Sequence, residues 1–218
     1  MKYISFADDP HKQQHFDFFR GMDDPHFGVT AEVDITELRR IVRTSPTLRF
    51  TPAVVYLIAR AAMEVTPFRW RIRGARVLEH ERLRPSFAVP VKDSAAFSFC
   101  TVTYQEDVAG FHADCVATME RMYENPNFSD EPGADDYLYL STFPWASFTS
   151  VKHAMNNKPG DSVPRIVWGK YRQVGEQTMM PLAVQAHHAV VDGSDLGRFY
   201  QSFEKNLRNC EEIFAQFL

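Results

Sequence analysis

The chain of 218 residues has few cysteines and no long apolar segment. Its three cysteines, Cys100, Cys115 and Cys210, are odd in number and scattered, which is typical of reduced thiols in a cytoplasmic protein. No apolar run approaches the ~20 residues that a transmembrane helix needs. The polar, acidic N-terminal stretch lacks the apolar centre of a signal peptide. We therefore expect no membrane partner and no glycan on the sequon at Asn127.

Several other features are also missing. The net charge of −4 argues against a broad nucleic-acid-binding surface, although it leaves room for a local basic patch that binds a phosphorylated cofactor. The chain contains no GxGxxG, P-loop, GxSxG or CxxC motif. Hydrophobic residues make up 44% of the chain, and 18 of them are phenylalanines. This composition indicates a large core, an aromatic pocket, or both.

Hydrophobic periodicity predicts helices and strands that are mixed along one chain. The predicted helices cover residues 34–44, 51–64, 106–124 and a long C-terminal segment whose apolar face runs from 196 to 217. The predicted strands cover residues 68–73, 76–83, 86–91, 96–104, 137–152, 164–174 and 177–190, with loops at 125–136 and 156–162. The last two of these strands are predicted to form a hairpin across residues 175–176. This order predicts a single α/β sandwich domain over residues 1–218 rather than a doubly wound nucleotide fold.

The strand at 68–73 alternates apolar residues with Arg69, Arg71 and Arg73. Alternation of this kind predicts a strand with one face in water and one face in the core. We therefore expect all three arginines to be solvated.

The segment PLAVQAHHAVVDG, residues 181–193, ends a predicted strand with two adjacent histidines. Successive side chains on a strand point to opposite faces, so His187 and His188 cannot both serve one small site. His188 ends the strand, and Asp192 lies in the turn before the C-terminal helix. We expect Gly193 to adopt an unusual backbone angle there and Ser194 to cap the helix.

Three interpretations of His188 remain open at this point. A lone histidine at a strand end is most often structural. A metal site with His187 and Asp192 is disfavoured, because adjacent strand residues diverge and no second cluster has ligand spacing. The third is a general base, because neutral imidazole accepts a proton near pH 7 and a carboxylate in the following turn can organise its site.

The ordered motifs of this chain resemble those of the chloramphenicol acetyltransferase family. Residues 187–193 are similar to the HHAVxDG signature, and residues 140–148 are similar to the S-x-x-P-W-x-x-F segment. Further similar segments occur in the expected order at residues 15–20, 33–36, 170–171 and 180–182. The catalytic domain of dihydrolipoamide acyltransferases shares the H-x-x-x-D-G element, but this sequence contains no lipoyl domain or Ala/Pro linker.

The resemblance implies a CoA-dependent acyltransferase fold, a two-layer sandwich with a mixed, largely antiparallel sheet, assembled as a homotrimer with active sites at the subunit interfaces. It implies acetyl-CoA as co-substrate, chloramphenicol as acceptor, and no metal. His188 would be the general base, Ser141 the oxyanion donor and Asp192 a structural partner of the His188 turn, while His187 would be a satisfied neighbour. Lys170, Tyr171 and Ser98 would bind the coenzyme, and Phe19, Phe27, Phe97 and Phe128 the acceptor.

Without the resemblance, Ser141 would be an ordinary strand-end serine, and Lys170 with Tyr171 a solvated strand face. The match also departs from the family at several positions. Lys12 stands where the family has an arginine that pairs with the signature aspartate, and Arg20 is the other candidate partner for Asp192. The remaining departures lie in the reacting and acceptor positions: Val167 replaces a threonine, Phe19 replaces a tyrosine, and Ala88 and Val151 differ from the family.

Three alternatives to chloramphenicol acetylation remain open. The first follows from these departures, and it keeps the chemistry but changes the acceptor to another hydroxylated aromatic or antibiotic-like molecule. The second is a scaffold that binds CoA or an aromatic ligand without turnover. The third, a metal-dependent hydrolase, predicts sensitivity to chelators.

Overall fold

A computed structural model describes residues 1–6, 8–155 and 161–218 of the chain. Its helices are α1 (Pro10–Arg20), α2 (Thr36–Thr44), α3 (Phe50–Glu64), α4 (Val108–Glu124), α5 (Gly193–Arg208) and α6 (Cys210–Ile213). Its strands are β1 (Lys2–Ile4), β2 (His26–Asp34), β3 (Trp70–Arg73), β4 (Arg76–Glu79), β5 (Arg84–Pro90), β6 (Phe97–Thr101), β7 (Tyr137–Phe143), β8 (Arg165–Gly169), β9 (Arg172–Val174) and β10 (Gln177–His187). None of the described helices combines the length and the apolar character needed to span a bilayer.

Seven strands form the main sheet in the order β2-β10-β8-β7-β5-β6, with β9 also paired to β10. Two pairings, β5 with β7 and β7 with β8, are parallel, and the others in this sheet are antiparallel. A smaller antiparallel sheet has the order β1-β4-β3. The predicted mixed, largely antiparallel sheet is confirmed.

Helix α3 lies at the centre of the core. Ten of its 15 residues are buried, and they point in every direction around the helix axis. A helix that is apolar all round must be covered on all sides. Here α4 and α5 pack against it, and the hydrophobic core joins it to the sheet.

Strand β10 is buried on both faces, which explains its nearly continuous apolar sequence. One face carries Leu182, Val184 and Ala186, which are fully buried in the main core. The opposite face carries Ala183, Gln185 and His187, which are also buried. The position of His188, which directly follows this strand, is therefore fixed by a rigid element.

The turn after β10 is held by backbone hydrogen bonds. The amide of His188 donates to the carbonyl of Pro25 at 2.8 Å, and the amides of Val190 and Val191 both donate to the carbonyl of His187. The predictions for Gly193 and Ser194 were wrong. Gly193 does not adopt a left-handed backbone angle, and the helix is capped by Asp192, to whose carboxylate Ser194 donates.

Several predicted boundaries were too long. The strand predicted at 137–152 ends at Phe143, since the chain turns at Pro144 and leaves the sheet. The strand predicted at 164–174 is interrupted at residues 170–171, and its second part forms the expected hairpin across Gly175, whose φ is +60°. Most of the loop predicted at 156–162 lies outside the described residues. The C-terminal helix breaks at Asn209 into α5 and α6.

The predicted solvated face of residues 68–73 was wrong at Arg71, which is only 1% exposed. Its guanidinium donates to the carbonyls of Phe68 and Trp70 at 2.9 and 2.7 Å, and also to those of Asp135 and Tyr137. Burial lowers the pKa of Arg71 to about 10, so the side chain stays charged at neutral pH. It faces inward because the carbonyls of Asp135 and Tyr137, where β7 begins, need a donor.

His187 is a buried structural residue. Its Nδ1 accepts a hydrogen bond from the amide of Ala189 at 3.2 Å, and its ring packs against the ring of His26 at 5.0 Å. Burial, followed by the neighbouring His26, lowers the pKa of His187 to about 4. The ring is therefore neutral in the folded protein at pH 7, which agrees with the predicted role of a satisfied neighbour.

Replacing Arg71 with methionine should lower the free energy of unfolding by about 3–5 kcal/mol, because the carbonyls it serves lose a buried, charge-assisted donor. Urea unfolding followed by circular dichroism measures this change. Arg82→Met, at an exposed arginine, is the matched control and should change stability by less than about 0.5 kcal/mol. Equal effects of the two variants would contradict the role assigned to Arg71.

Acidification should destabilise the fold through His187. The unfolded side chain titrates near ~6.5, whereas the folded one titrates at about 4. The unfolded state therefore binds more protons, so stability is lost as pH falls from ~6.5 to ~4, by about 2–3 kcal/mol. Urea midpoints measured across this range should fall less steeply for His187→Asn, whose amide oxygen can still accept from Ala189. Parallel pH curves for the two proteins would contradict this account.

Candidate active site

His188 lies between two aromatic rings immediately after β10. The ring of Phe19 stacks on it with centroids 3.9 Å apart and planes 14° apart, and the ring of Phe27 lies 4.2 Å away at 26°. The edge of His15 approaches at 5.4 Å. The Nδ1 atom of His188 is enclosed and has no hydrogen-bond partner in the described part of the chain. The imidazole is therefore fixed by packing, and Nε2 is the nitrogen left to meet a substrate.

Asp192 holds the turn that follows His188. Its carboxylate accepts hydrogen bonds from the amides of Ser194 and Asp195 at 2.8 and 3.0 Å, and its own amide donates to the carboxylate of Asp195 at 2.9 Å. Burial raises the pKa of Asp192, but the hydrogen bonds from Ser194 and Asp195 and the positive charge of Lys12 outweigh this effect, so its pKa lies below the usual range. Asp192 is thus a charged helix cap.

The two cations predicted as partners of Asp192 differ in position. Arg20 donates to Asp17 and to the carbonyl of Gly74, so it is engaged elsewhere. Lys12 lies close enough to Asp192 to lower its pKa, but the two form no ion pair within 4.0 Å. Lys12 therefore acts on Asp192 through the electrostatic field, without the bidentate fork that an arginine would supply.

Ser141 lies on the face of the main sheet opposite the helical layer. Along β7, Ser141 is in register with Val167 of β8, which is in register with Ala183 of β10. On its other side lies Ala88 of β5, the residue after Phe87, which pairs with Leu140. Ser141 and Val167 are thus direct cross-strand neighbours, so the departure at position 167 adjoins the predicted oxyanion donor.

An aromatic cluster lies on this same face, one strand beyond Ala88. Phe99 of β6 pairs with Ala88, and its ring stacks on that of Phe128 at 4.6 Å. The ring of Phe97 lies 5.0 Å from that of Phe128. Phe97 and Phe128 are 45% and 64% exposed, respectively. The predicted acceptor residues Phe97 and Phe128 therefore lie beside Phe99, which belongs to the same cross-strand row as Ser141 and Ala88.

The predicted catalytic residues do not meet within one chain. Ala183, in the row of Ser141, precedes His188 by five residues along β10, and β7 is two strands away from β10. A rise of ~3.4 Å per residue and a strand spacing of ~4.8 Å place Ser141 about 20 Å from His188. Phe19 and Phe27 lie with His188, while Phe97 and Phe128 lie with Ser141. One chain therefore holds two half-sites, which we call the histidine half and the serine half.

Lys170 and Tyr171 occupy the break between β8 and β9. The amide of Lys170 donates to the carbonyl of Ala146 at 3.2 Å, and a side chain at Gly169 would clash with the ring of Phe148. These contacts hold the segment after Pro144 against the end of β8. Tyr171 lies beneath the guanidinium of Arg39, 4.2 Å from its ring centroid.

Ser98, the third residue predicted to bind the coenzyme, is fully buried. Its hydroxyl donates to the carbonyl of Asn127 at 2.9 Å and accepts from the amide of Asn127 at 2.8 Å. The residue therefore ties β6 to the loop after α4 and has no exposed atom to offer a coenzyme.

Two residues of these half-sites escaped the sequence analysis. His15 was noted only as part of a motif, because no helix or strand had been predicted for residues 10–33. Phe99 was not predicted as a site residue, although its spacing of two from Phe97 along the strand places both on one face. Across the described ranges, no group of three or more His, Cys, Asp or Glu side chains is arranged to hold a metal ion.

Comparison with known proteins relates this chain to one family and one fold. A bacterial relative, chloramphenicol acetyltransferase 3 of Escherichia coli, is 29% identical over 195 residues, which cover 89% of this chain and 91% of that protein. The chloramphenicol acetyltransferase of Bacillus pumilus is 26% identical over 202 residues, or 92% of this chain and 91% of that protein.

Solved structures give the same result for the fold. A chloramphenicol acetyltransferase superimposes with a TM-score of 0.83 at 24% identity, covering 94% of this chain and 99% of the other. A probable dihydrolipoamide acetyltransferase from Listeria monocytogenes superimposes with a TM-score of 0.67 at 16% identity, covering 96% and 94%. These superpositions confirm the predicted acyltransferase fold. The family model described as chloramphenicol acetyltransferase matches residues 4–204, and the chain belongs to the chloramphenicol acetyltransferase family.

Proposed function

We propose that this chain transfers the acetyl group of acetyl-CoA to a hydroxyl of chloramphenicol, within a ternary complex. The observation that carries the proposal is the histidine half. His188 follows a strand buried on both faces, and two aromatic rings clamp its imidazole. A general base needs a fixed ring with one accessible nitrogen, and this arrangement supplies both.

The proposed reaction needs no covalent enzyme intermediate. Nε2 of His188 removes the hydroxyl proton of the acceptor while the oxygen attacks the thioester carbonyl carbon. The hydroxyl of Ser141 donates a hydrogen bond to the oxyanion of the tetrahedral intermediate. The C–S bond then breaks, and the CoA thiolate takes the proton from the imidazolium of His188. The products are the acetyl ester and free CoA.

Charged groups near His188 support the role of a base. Asp192 and Asp195 are at the start of the helix that follows His188, and their negative charges act on the adjoining imidazole of His15. His15 must stay neutral while His188 carries the transferred proton, because a second cation 5.4 Å away would oppose that charge. Burial, followed by Lys12 and His188, lowers the pKa of His15, which favours the neutral form at pH 7.

The proposal includes a homotrimer in which the histidine half of one subunit faces the serine half of the next. Two observations support it. The separation of about 20 Å between Ser141 and His188 leaves each half incomplete within its own chain. Around the serine half, large apolar side chains are exposed, with Trp145 at 75% and Phe128 at 64%. Exposed patches of this kind mark association surfaces.

The acceptor pocket favours an apolar ring. The aromatic cluster of Phe97, Phe99 and Phe128 offers stacking surfaces next to Ser141. However, Phe19, Ala88 and the buried Val167 carry no hydroxyl. A site that lacks buried polar partners discriminates weakly between related acceptors. This feature supports a second candidate, the same transfer to another hydroxylated aromatic molecule.

We infer a single catalytic domain over residues 1–218 in the cytoplasm, with neither nucleic acid nor membrane as partner. The burial of Cys100, Cys115 and Cys210 as free thiols supports a reducing compartment.

Thiol release from acetyl-CoA in the presence of chloramphenicol tests the function. The wild-type protein should release CoA rapidly, and His188→Ala should lower kcat by about 10²–10⁴-fold through loss of the base. His11→Ala, at an exposed histidine of α1, is the matched control and should keep wild-type activity.

Three outcomes of this assay decide the proposal. Turnover only with a different alcohol would replace chloramphenicol by the second candidate. Equal activity of His188→Ala and wild type would overturn the assignment of the base. Binding of acetyl-CoA without turnover on any alcohol would indicate a scaffold without catalysis.

A further inference from the structure

One member of the aromatic cluster is not carried by a helix or a strand. Phe97 and Phe99 belong to β6, whereas Phe128 lies in the loop after α4. Its ring meets those of Phe99 and Phe97 at 4.6 and 5.0 Å, and the residue is 64% exposed. A side chain with so little cover takes its position from the backbone that carries it. The location of this ring therefore depends on residues 127–129, which we call the Phe128 turn.

Ser98 ties the Phe128 turn to the edge of the main sheet. Its hydroxyl donates to the carbonyl of Asn127 at 2.9 Å and accepts from the amide of the same residue at 2.8 Å. The amide of Phe99 also donates to that carbonyl, at 2.9 Å. Strand β6 is the last strand of the sheet within the described ranges, so its outer edge is left to bind the loop. Three hydrogen bonds thus fix the backbone immediately before Phe128.

The side chain of Asn127 closes the turn from within. Its Oδ1 accepts from the hydroxyl of Ser129 at 2.9 Å and from the amide of Ser129 at 3.2 Å, and its Nδ2 donates to the Ser129 carbonyl at 3.0 Å. Asparagine suits such turns because its short amide group bonds the backbone two residues further on. The sequon at residues 127–129 is therefore a turn that holds Phe128 between two bonded neighbours.

Alternation along β6 links this anchor to the acceptor surface. Phe97 and Phe99 share one face of the strand, and Ser98 lies on the other, where it is fully buried. On the open face, Phe99 pairs with Ala88, which lies beside Ser141 in the same cross-strand row. One strand therefore supplies two rings of the aromatic cluster and the hydroxyl that places the third.

We infer that Ser98 and Asn127 are positioning residues for acceptor binding, because they hold the ring of Phe128 in the aromatic cluster. This inference rests on the proposed function, in which the cluster stacks on the aromatic ring of the acceptor. Two side chains that do not touch the acceptor then set its affinity, since a wall that is assembled beforehand loses less conformational freedom on binding. The cluster provides binding and not chemistry, so its loss raises the KM for the acceptor and leaves kcat unchanged.

Steady-state kinetics with acceptor and coenzyme varied in turn test the inference, using chloramphenicol or the aromatic alcohol that replaces it. Ser98→Ala should raise the KM for the acceptor about tenfold and keep kcat and the KM for acetyl-CoA within about twofold. Asn127→Ala should act in the same way. Asn127→Asp, whose carboxylate still accepts from Ser129, should stay within about threefold of wild type. Asn125→Ala, at an exposed asparagine of the same loop, is the matched control.

A double-mutant cycle with Phe128→Ala separates positioning from general damage to the fold. If Ser98 acts through the ring of Phe128, Ser98→Ala should raise the KM for the acceptor no further once that ring is absent. Effects that multiply in the double variant would show that Ser98 acts by another route and would overturn the inference. An equal rise in the KM values for acceptor and coenzyme would overturn it as well.

Hydrogen exchange across the Phe128 turn measures the anchor without turnover. The amide of Asn127 is bonded to Ser98 and should exchange about tenfold faster in Ser98→Ala. Unchanged exchange would overturn the inference at its first step. Thermal unfolding shows whether Ser98→Ala is folded, since Ser98 is fully buried. Asn127 is exposed, so its variants keep the test available if Ser98→Ala does not fold.

Calorimetric titration with the acceptor distinguishes failure of this inference from failure of the proposed function. Binding without turnover that weakens in Ser98→Ala and Asn127→Ala would support the positioning role and remove the proposed reaction. Turnover with an unchanged KM for the acceptor in both variants would overturn the positioning role and leave the acetyl transfer intact. Failure of the wild-type protein to bind chloramphenicol or any other hydroxylated aromatic molecule would overturn both.

Discussion

The position at which β10 leaves the sheet governs the arrangement of the candidate site. This strand is buried on both faces, and its register is fixed by antiparallel pairing with β2 on one side and β8 on the other. A slip of one residue would exchange the two faces and bury the wrong side chains. His188 follows the last residue of the strand, and its amide donates a hydrogen bond to the carbonyl of Pro25. The sheet therefore determines where the imidazole stands, and Phe19 and Phe27 determine how it is oriented.

The same sheet separates the other reacting group from His188. Ser141 lies two strands away and about 20 Å distant, on the face that the helices leave open. Neither half-site works alone in the proposed chemistry, because a base without an oxyanion donor loses roughly 3–4 kcal/mol of barrier lowering. In the proposed homotrimer, assembly of subunits is then a condition of catalysis and not only of stability. The exposed aromatic residues around Ser141 would serve both purposes there, as a surface for association and as a wall for the acceptor.

Much of this arrangement was predictable from the sequence. The helices at α3 and α4, the hairpin at Gly175 and the C-terminal helix follow from periodicity and turn residues, and the ordered motifs pointed to the fold and the family. Arg71 was mispredicted, because alternation along a strand does not show which carbonyls lie opposite it. The cap of α5 was mispredicted, because aspartate and serine both suit that position. The choice between Asp192 and Ser194 depends on the hydrogen bonds that hold the preceding turn. No sequence pattern shows that Ser98 is enclosed or that Arg39 lies over Tyr171, since both depend on contacts between distant segments.

The central claim is that one active site takes His188 from one subunit and Ser141 from another. The most direct measurement is activity after His188→Ala and Ser141→Ala chains are mixed in equal amounts, unfolded and refolded together. If the halves meet across an interface, random assembly places an intact histidine half against an intact serine half in about a quarter of the sites. Acetyl transfer should then rise to about a quarter of the wild-type rate, while each variant refolded alone stays nearly inactive. Activity of the mixture no higher than that of its parents would contradict the shared site.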